Sequence, residues 1–151
     1  MAVLLAAGAV AAGARRIESK PHCGLPELAA FLCARAEWRQ AVFLVHAEDP
    51  GREGALVAEV AMRDTARPGH TVMRAWKWRP AAATAEELLL EMERAGVRVL
   101  VLDGAPGRRR GRNYRPFEDL ARARPDRLRL IWNSGRYIRA YELLDARLES
   151  L

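Results

Sequence analysis

QAVFLVHA, the run from Gln40 to Ala47, decides the architecture. It is short, continuous and apolar and carries β-branched valines, the pattern of a strand buried on both faces of a sheet. It ends at Glu48-Asp49-Pro50-Gly51, and a helical pattern follows from Arg52 to Arg63, with Leu56, Val57 and Val60 on one face. VRVLVL, from Val97 to Leu102, is a second strand of the same kind, broken by Asp103-Gly104-Ala105-Pro106-Gly107. Between the two, His70 to Trp78 alternates like a half-buried strand. Thr84 and Glu87 then form a capping box for a helix from Ala85 to Ala95, which stops at Gly96. Downstream, Phe117 to Arg124 reads as a helix closed by Pro125, and Leu128 to Trp132 as a strand ending at Asn133-Ser134-Gly135. Tyr137 to Leu148 reads as a final amphipathic helix with Ile138, Tyr141, Leu144 and Leu148 on its inner side.

Strands alternating with helices at this spacing imply an α/β domain with right-handed crossovers. The expected fold is a three-layer Rossmann-like or flavodoxin-like arrangement around a mainly parallel sheet. No repeat or low-complexity linker divides the 151 residues, so one domain is expected, with its core in residues 41–151. Residues 1–40 form an N-terminal extension whose place the pattern does not fix. Within it, Ala2 to Val10 could add a strand, and Pro26 to Ala36 reads as a helix with proline in its first turn.

Composition narrows the class. Half the residues are hydrophobic and 29% are charged, a globular balance rather than a disordered one. No apolar run approaches the roughly 20 residues of a membrane span. Ala2 to Ala14 is small and apolar, but no Lys or Arg precedes it, so it reads as a buried segment rather than a signal peptide. Cys23 and Cys33 are too few for a disulfide framework or a zinc site, and reduced thiols in a cytoplasm are expected. The net charge is +6, almost all from arginine, since Lys20 and Lys77 are the only lysines. That balance permits nucleic-acid or anion binding, and arginine enrichment from a GC-rich genome explains it equally well.

In parallel sheets, ligands bind beyond the carboxyl ends of the strands. That rule selects Glu48-Asp49, Asp103 and Asn133-Ser134. If the two most apolar strands are neighbours, Glu48, Asp49 and Asp103 converge, and three carboxylates together call for a hard cation such as Mg2+. The alternative is that Glu48 and Asp49 serve the start of the next helix. Arg108, Arg109, Arg110 and Arg112, with Tyr114, form a basic loop beside this place, suited to phosphate or to a stacked base. A solvated charge run is the plainer reading of that loop. Trp76 and Trp78 would share a face of one strand, where packing under a helix competes with a binding platform. His46 reads as a core residue of its strand. No P-loop, dinucleotide fingerprint or nucleophile elbow is present.

From about Ala41 onward the chain resembles a receiver domain of bacterial response regulators. VFLVHAEDPGREGALVAEV resembles the first strand, acidic pair and first helix, and GHTVMRA the second strand. AEELLLEMERAGVRVLVLDGAPGRRRG resembles the segment leading to the phosphoacceptor, and FEDLARARPDRLRLIWNSG the next helix and strand. The resemblance implies metal-binding roles for Glu48 and Asp49, a phosphoacceptor role for Asp103 and a switch hydroxyl at Ser134. The family's pairing lysine has no counterpart, so the expected role is a degenerate receiver: a non-enzymatic regulatory module that presents its fold to a protein partner. AEDPGREGALVA also resembles the acidic motif of Toprim domains, with Gly51 where that family has its second aspartate. This second likeness, over residues 47–58, implies a nucleic-acid-binding or processing domain with a carboxylate metal site.

Overall fold

The computed structural model describes residues 24–65, 69–78, 82, 84–104, 115–135 and 137–144. They form a mixed α/β fold around an open five-stranded sheet. In chain order the elements are α1 (Leu25–Cys33), a 3-10 turn (Ala36–Trp38), β1 (Val42–Ala47), α2 (Pro50–Arg63), β2 (Thr71–Arg74) and α3 (Ala75–Trp78). They continue with α4 (Ala85–Arg94), β3 (Val97–Asp103), α5 (Arg115–Ala123), β4 (Leu128–Asn133) and β5 (Ile138–Leu143).

The sheet order is β2-β1-β3-β5-β4. β1 pairs in parallel with both β2 and β3, so the two apolar runs are neighbours, with Ala47 opposite Asp103. Side-chain alternation then sorts the core. Phe43, Val45, Val99 and Val101 join Leu28 and Leu32 of α1 and Leu56 and Val60 of α2. Leu44, Leu100 and Leu102 join Leu88 and Met92 of α4 and Phe117 and Leu120 of α5. This two-sided burial explains why β1 and β3 are continuously apolar.

Local signals set the boundaries. Pro50 opens α2 at its first turn behind Asp49, whose side chain accepts the Gly51 N–H. Thr84 and Glu87 exchange both hydrogen bonds of the capping box at α4. Gly96 takes φ +69° as the chain turns from α4 into β3. Part of the N-terminal extension belongs to the core: α1 packs on α2, and Leu25, Leu28, Ala29 and Leu32 are fully buried. The expected strand at Ala2 to Val10 lies outside the described residues.

Two expectations are corrected. Tyr137 to Leu148 is not a helix over its described part; Ile138–Leu143 is a strand, antiparallel to both β3 and β4. The helical spacing of Ile138, Tyr141 and Leu144 was also compatible with a strand, and the turn before it decides the matter. Asn133 Oδ1 accepts the Gly135 N–H, Gly135 takes φ +81°, and Ser134 Oγ accepts the N–H groups of Tyr137 and Ile138. That is hairpin chemistry. Once β5 sits inside the sheet, Ile138 and Ala140 fill one cluster and Leu143 the other.

The second correction concerns His70 to Trp78. The strand ends at Arg74, and Ala75–Trp78 is a helical turn. Trp76 and Trp78 therefore do not share a strand face. Trp78 packs against the second cluster, while Trp76 is 45% exposed.

Glu142 on β5 shows how the sheet admits a charge. It is buried, and Trp38 Nε1, Arg98 and Arg129 all donate to its carboxylate. Burial alone would push its pKa up; hydrogen bonds from Arg129 and Trp38 and the charges of Arg129 and Arg98 override that and hold it below the usual value. A lowered folded-state pKa stabilises above the unfolded value, and the gain is lost as pH falls through the folded one. Glu142→Gln is expected to destabilise by about 1–3 kcal/mol at neutral pH. Denaturant unfolding across the acid range should show the gap to the parent protein closing below the ordinary glutamate pKa. A gap independent of pH would reject the electrostatic account.

Candidate functional site

The parallel pairing of β1 and β3 brings their carboxyl ends together. The Glu48 N–H donates to the Asp103 carbonyl at 3.2 Å, and the Gly104 N–H donates to the Tyr137 carbonyl on the other side. Position 104 packs closely: a Cβ there would lie 3.0–3.1 Å from the Glu48 side chain, which would have to give way by a few tenths of an ångström. Thus Glu48, Asp49 and Asp103 do gather at one end of the sheet.

Their side chains face different partners. Asp103 is 1% exposed, and Arg52 clamps it through Nε to Oδ2 at 2.6 Å and Nη2 to Oδ1 at 2.7 Å. This two-pronged pair matches the planar guanidinium to both carboxylate oxygens. Asp49 is exposed and bonds back to its own helix at the Gly51 N–H, 2.8 Å away. Among the described residues, no group of three or more His, Cys, Asp or Glu side chains is arranged to hold a metal ion.

The deepest charge at this end is Glu53, which is fully buried in the first turn of α2. Its Oε1 accepts the Ala47 N–H at 3.4 Å and meets His46 Nδ1 at 3.3 Å. Its Oε2 accepts the Trp76 N–H at 3.4 Å and pairs with Arg74 Nε at 3.5 Å. Arg74 Nη2 also donates to the Pro50 carbonyl. Glu53 therefore ties β1, β2 and the start of α3 to α2, and it explains why β2 stops where it does: the Trp76 amide turns toward the carboxylate. His46 is a core residue as its sequence context implies, buried with its ring 4.8 Å from that of Phe117.

Sequence reasoning missed Glu53 and the clamp from Arg52. The signal for Glu53 was present, because it lies three and seven residues before Leu56 and Val60 and so extends the buried face of α2 by one turn. Arg52 carries no comparable signal; its partner is 51 positions away and is set by strand pairing.

Ser134 sits at the end of β4, with β5 between it and β3. Its hydroxyl receives two hairpin N–H groups, and its side chain approaches Gly24 before α1. Arg108, Arg109, Arg110, Arg112 and Tyr114 lie outside the described residues.

The clamp constrains what Asp103 can do. A carboxylate with both oxygens engaged by a guanidinium attacks a phosphoryl group poorly, and a cation at Asp103 would have to compete with Arg52. Removing the arginine takes two charge-assisted hydrogen bonds from a buried carboxylate. Arg52→Ala is expected to cost about 2–3 kcal/mol, somewhat less than for a fully buried pair because the guanidinium keeps water contact. In a double-mutant cycle with Asp103→Ala, urea unfolding should show the two losses to be strongly non-additive. Additive losses would mean that the clamp does not couple α2 to β3.

No protein-family model, curated protein or solved structure matches this chain.

Proposed function

We propose that the chain is a non-enzymatic regulatory or interaction module on a three-layer, receiver-like scaffold, whose strand-end acids hold the fold together. The order β2-β1-β3 with parallel pairing is that of the first half of a flavodoxin-like sheet. The observation that carries the reading is the two-pronged Arg52–Asp103 pair at the place where the receiver resemblance puts a phosphoacceptor. Magnesium bound by Glu48, Asp49 and Asp103 would need Asp103 to exchange its guanidinium for the ion. The departure of β5 from parallel order separates Ser134 from Asp103 by one strand, which also favours a presenting role over a phosphorylation switch.

The test is NMR titration of the 15N-labelled chain with Mg2+ alone and then with beryllium fluoride, a phosphoryl mimic. The amide signals of Leu102, Asp103, Gly104 and Ser134 are expected to stay in place. A saturable shift at Asp103 with Mg2+ and the mimic together would replace this reading with that of a working receiver.

A second reading, nucleic-acid binding, has one structural observation in its favour: exposed Trp76 stands beside Lys77 in a chain of net charge +6. Binding of a labelled oligonucleotide that weakens steeply with salt, and weakens further in Arg109→Ala and Arg110→Ala, would establish it. Absence of binding at low salt removes it.

A further inference from the structure

We infer that the outer edge of β2 is a docking groove for an acidic, extended segment of a protein partner, which adds to the sheet as a strand. The inference rests on the interaction-module reading and supplies the partner's chemistry.

Among the described residues, β2 is an edge strand with β1 on one side only. The Thr71 N–H donates inward to the Ala41 carbonyl at 3.1 Å. In a parallel ladder, successive residues turn their backbone groups to opposite sides, so Val72 directs its N–H and C=O outward. Such an edge is a template for another strand.

A groove of about 370 Å3 lies at this edge, lined by Val72, Met73, Arg74, Lys77 and Trp78. Side chains of consecutive strand residues point to opposite faces. Val72, Met73 and Arg74 can line one groove only if it follows the backbone along the rim of the sheet. Val72 packs against the first core cluster and Met73 against the second, as that geometry requires. The groove thus offers backbone pairing groups flanked by an apolar wall.

Charge selects the occupant. The groove is lined by two cations and, among the described residues, by no acid. Arg74 is partly committed to Glu53 and the Pro50 carbonyl, whereas Lys77 is exposed. A second copy would bring the same basic edge, from a chain of net charge +6, against it. A nucleic acid matches the charge but has no amide ladder to pair with Val72. An acidic segment with alternating apolar residues satisfies all three features: carboxylates toward Lys77, apolar side chains against Val72, Met73 and Trp78, and main chain against main chain.

The experiment uses the full chain and a fluorescein-labelled octapeptide of alternating glutamate and valine. Polarisation titration is expected to saturate, with NMR shifts concentrated from Thr71 to Trp78. Lys77→Glu, an exposed substitution whose fold is checked by circular dichroism, should bind about tenfold more weakly. The same peptide with alternate backbone nitrogens methylated should not bind, because it cannot pair. Absence of saturable binding overturns the proposal. So does equal binding by a lysine–valine peptide or by the methylated one, or tighter binding of oligothymidylate to the same amides. The readouts are separate from those at Asp103: a mimic-induced shift there ends the non-enzymatic reading without touching the groove, and peptide failure ends the groove without touching that reading.

Discussion

Burying a carboxylate without a partner costs more than the fold could bear, and the placement of Arg52, Arg74, Arg98 and Arg129 follows from that constraint. Glu53, Asp103 and Glu142 are buried to 0%, 1% and 5% exposure. Each is met by guanidinium groups from another element: Arg74 for Glu53, Arg52 for Asp103, Arg98 and Arg129 for Glu142. These pairs join β2 to α2, α2 to β3, and β5 to its neighbours on either side. The apolar clusters supply the bulk of the burial; the ion pairs fix which elements may meet, because a wrong register would leave a charge alone in the core. The chain's preference for arginine over lysine has a structural use here, since the planar fork reaches both oxygens of Asp103 at once.

Much of the fold was legible because strands buried on both faces leave an unmistakable pattern. VRVLVL and QAVFLVHA needed no context, and neither did the Thr84 capping box or the Gly96 stop. β5 was not legible, because Ile138, Tyr141 and Leu144 recur at a helical spacing, whereas the strand buries both its faces, with Ile138 on one and Tyr141 on the other. What decides it is a hairpin held by Asn133, Ser134 and Gly135, and its pairing with β3, a contact between distant parts of the chain. β2 ran too far for a related reason. Just past its end the Trp76 N–H turns to a carboxylate from α2, a partner 23 positions away.

The candidate site was legible as a place but not as chemistry. The strand-end rule led to Glu48, Asp49 and Asp103, and the parallel register does put them at one end. Their partners depend on side chains that approach in space without any sequence spacing to announce them. Asn133 and Ser134 illustrate the same difficulty at short range: a polar pair after a strand suits a ligand and a tight turn equally, and here both residues bond to the turn.

The topology sharpens the meaning of the Arg52–Asp103 pair. In a sheet whose order runs β2-β1-β3, the chain leaves β1 toward one side and later returns to the other, so the connections diverge between β1 and β3. That divergence opens the crevice in which doubly wound proteins hold their ligands. Here Arg52, from the connection that leaves β1, reaches across to Asp103 at the end of β3 and spans the crevice. A ligand entering there must be worth more to Asp103 than a guanidinium already bound at two points, and only a cation or a large rearrangement of α2 could be. At 1% exposure, Asp103 is closed off at the place the topology would otherwise leave open. On the other side of β1, β2 is the outermost strand among the described residues, and Arg74 and Lys77 stand there beside Val72, Met73 and Trp78.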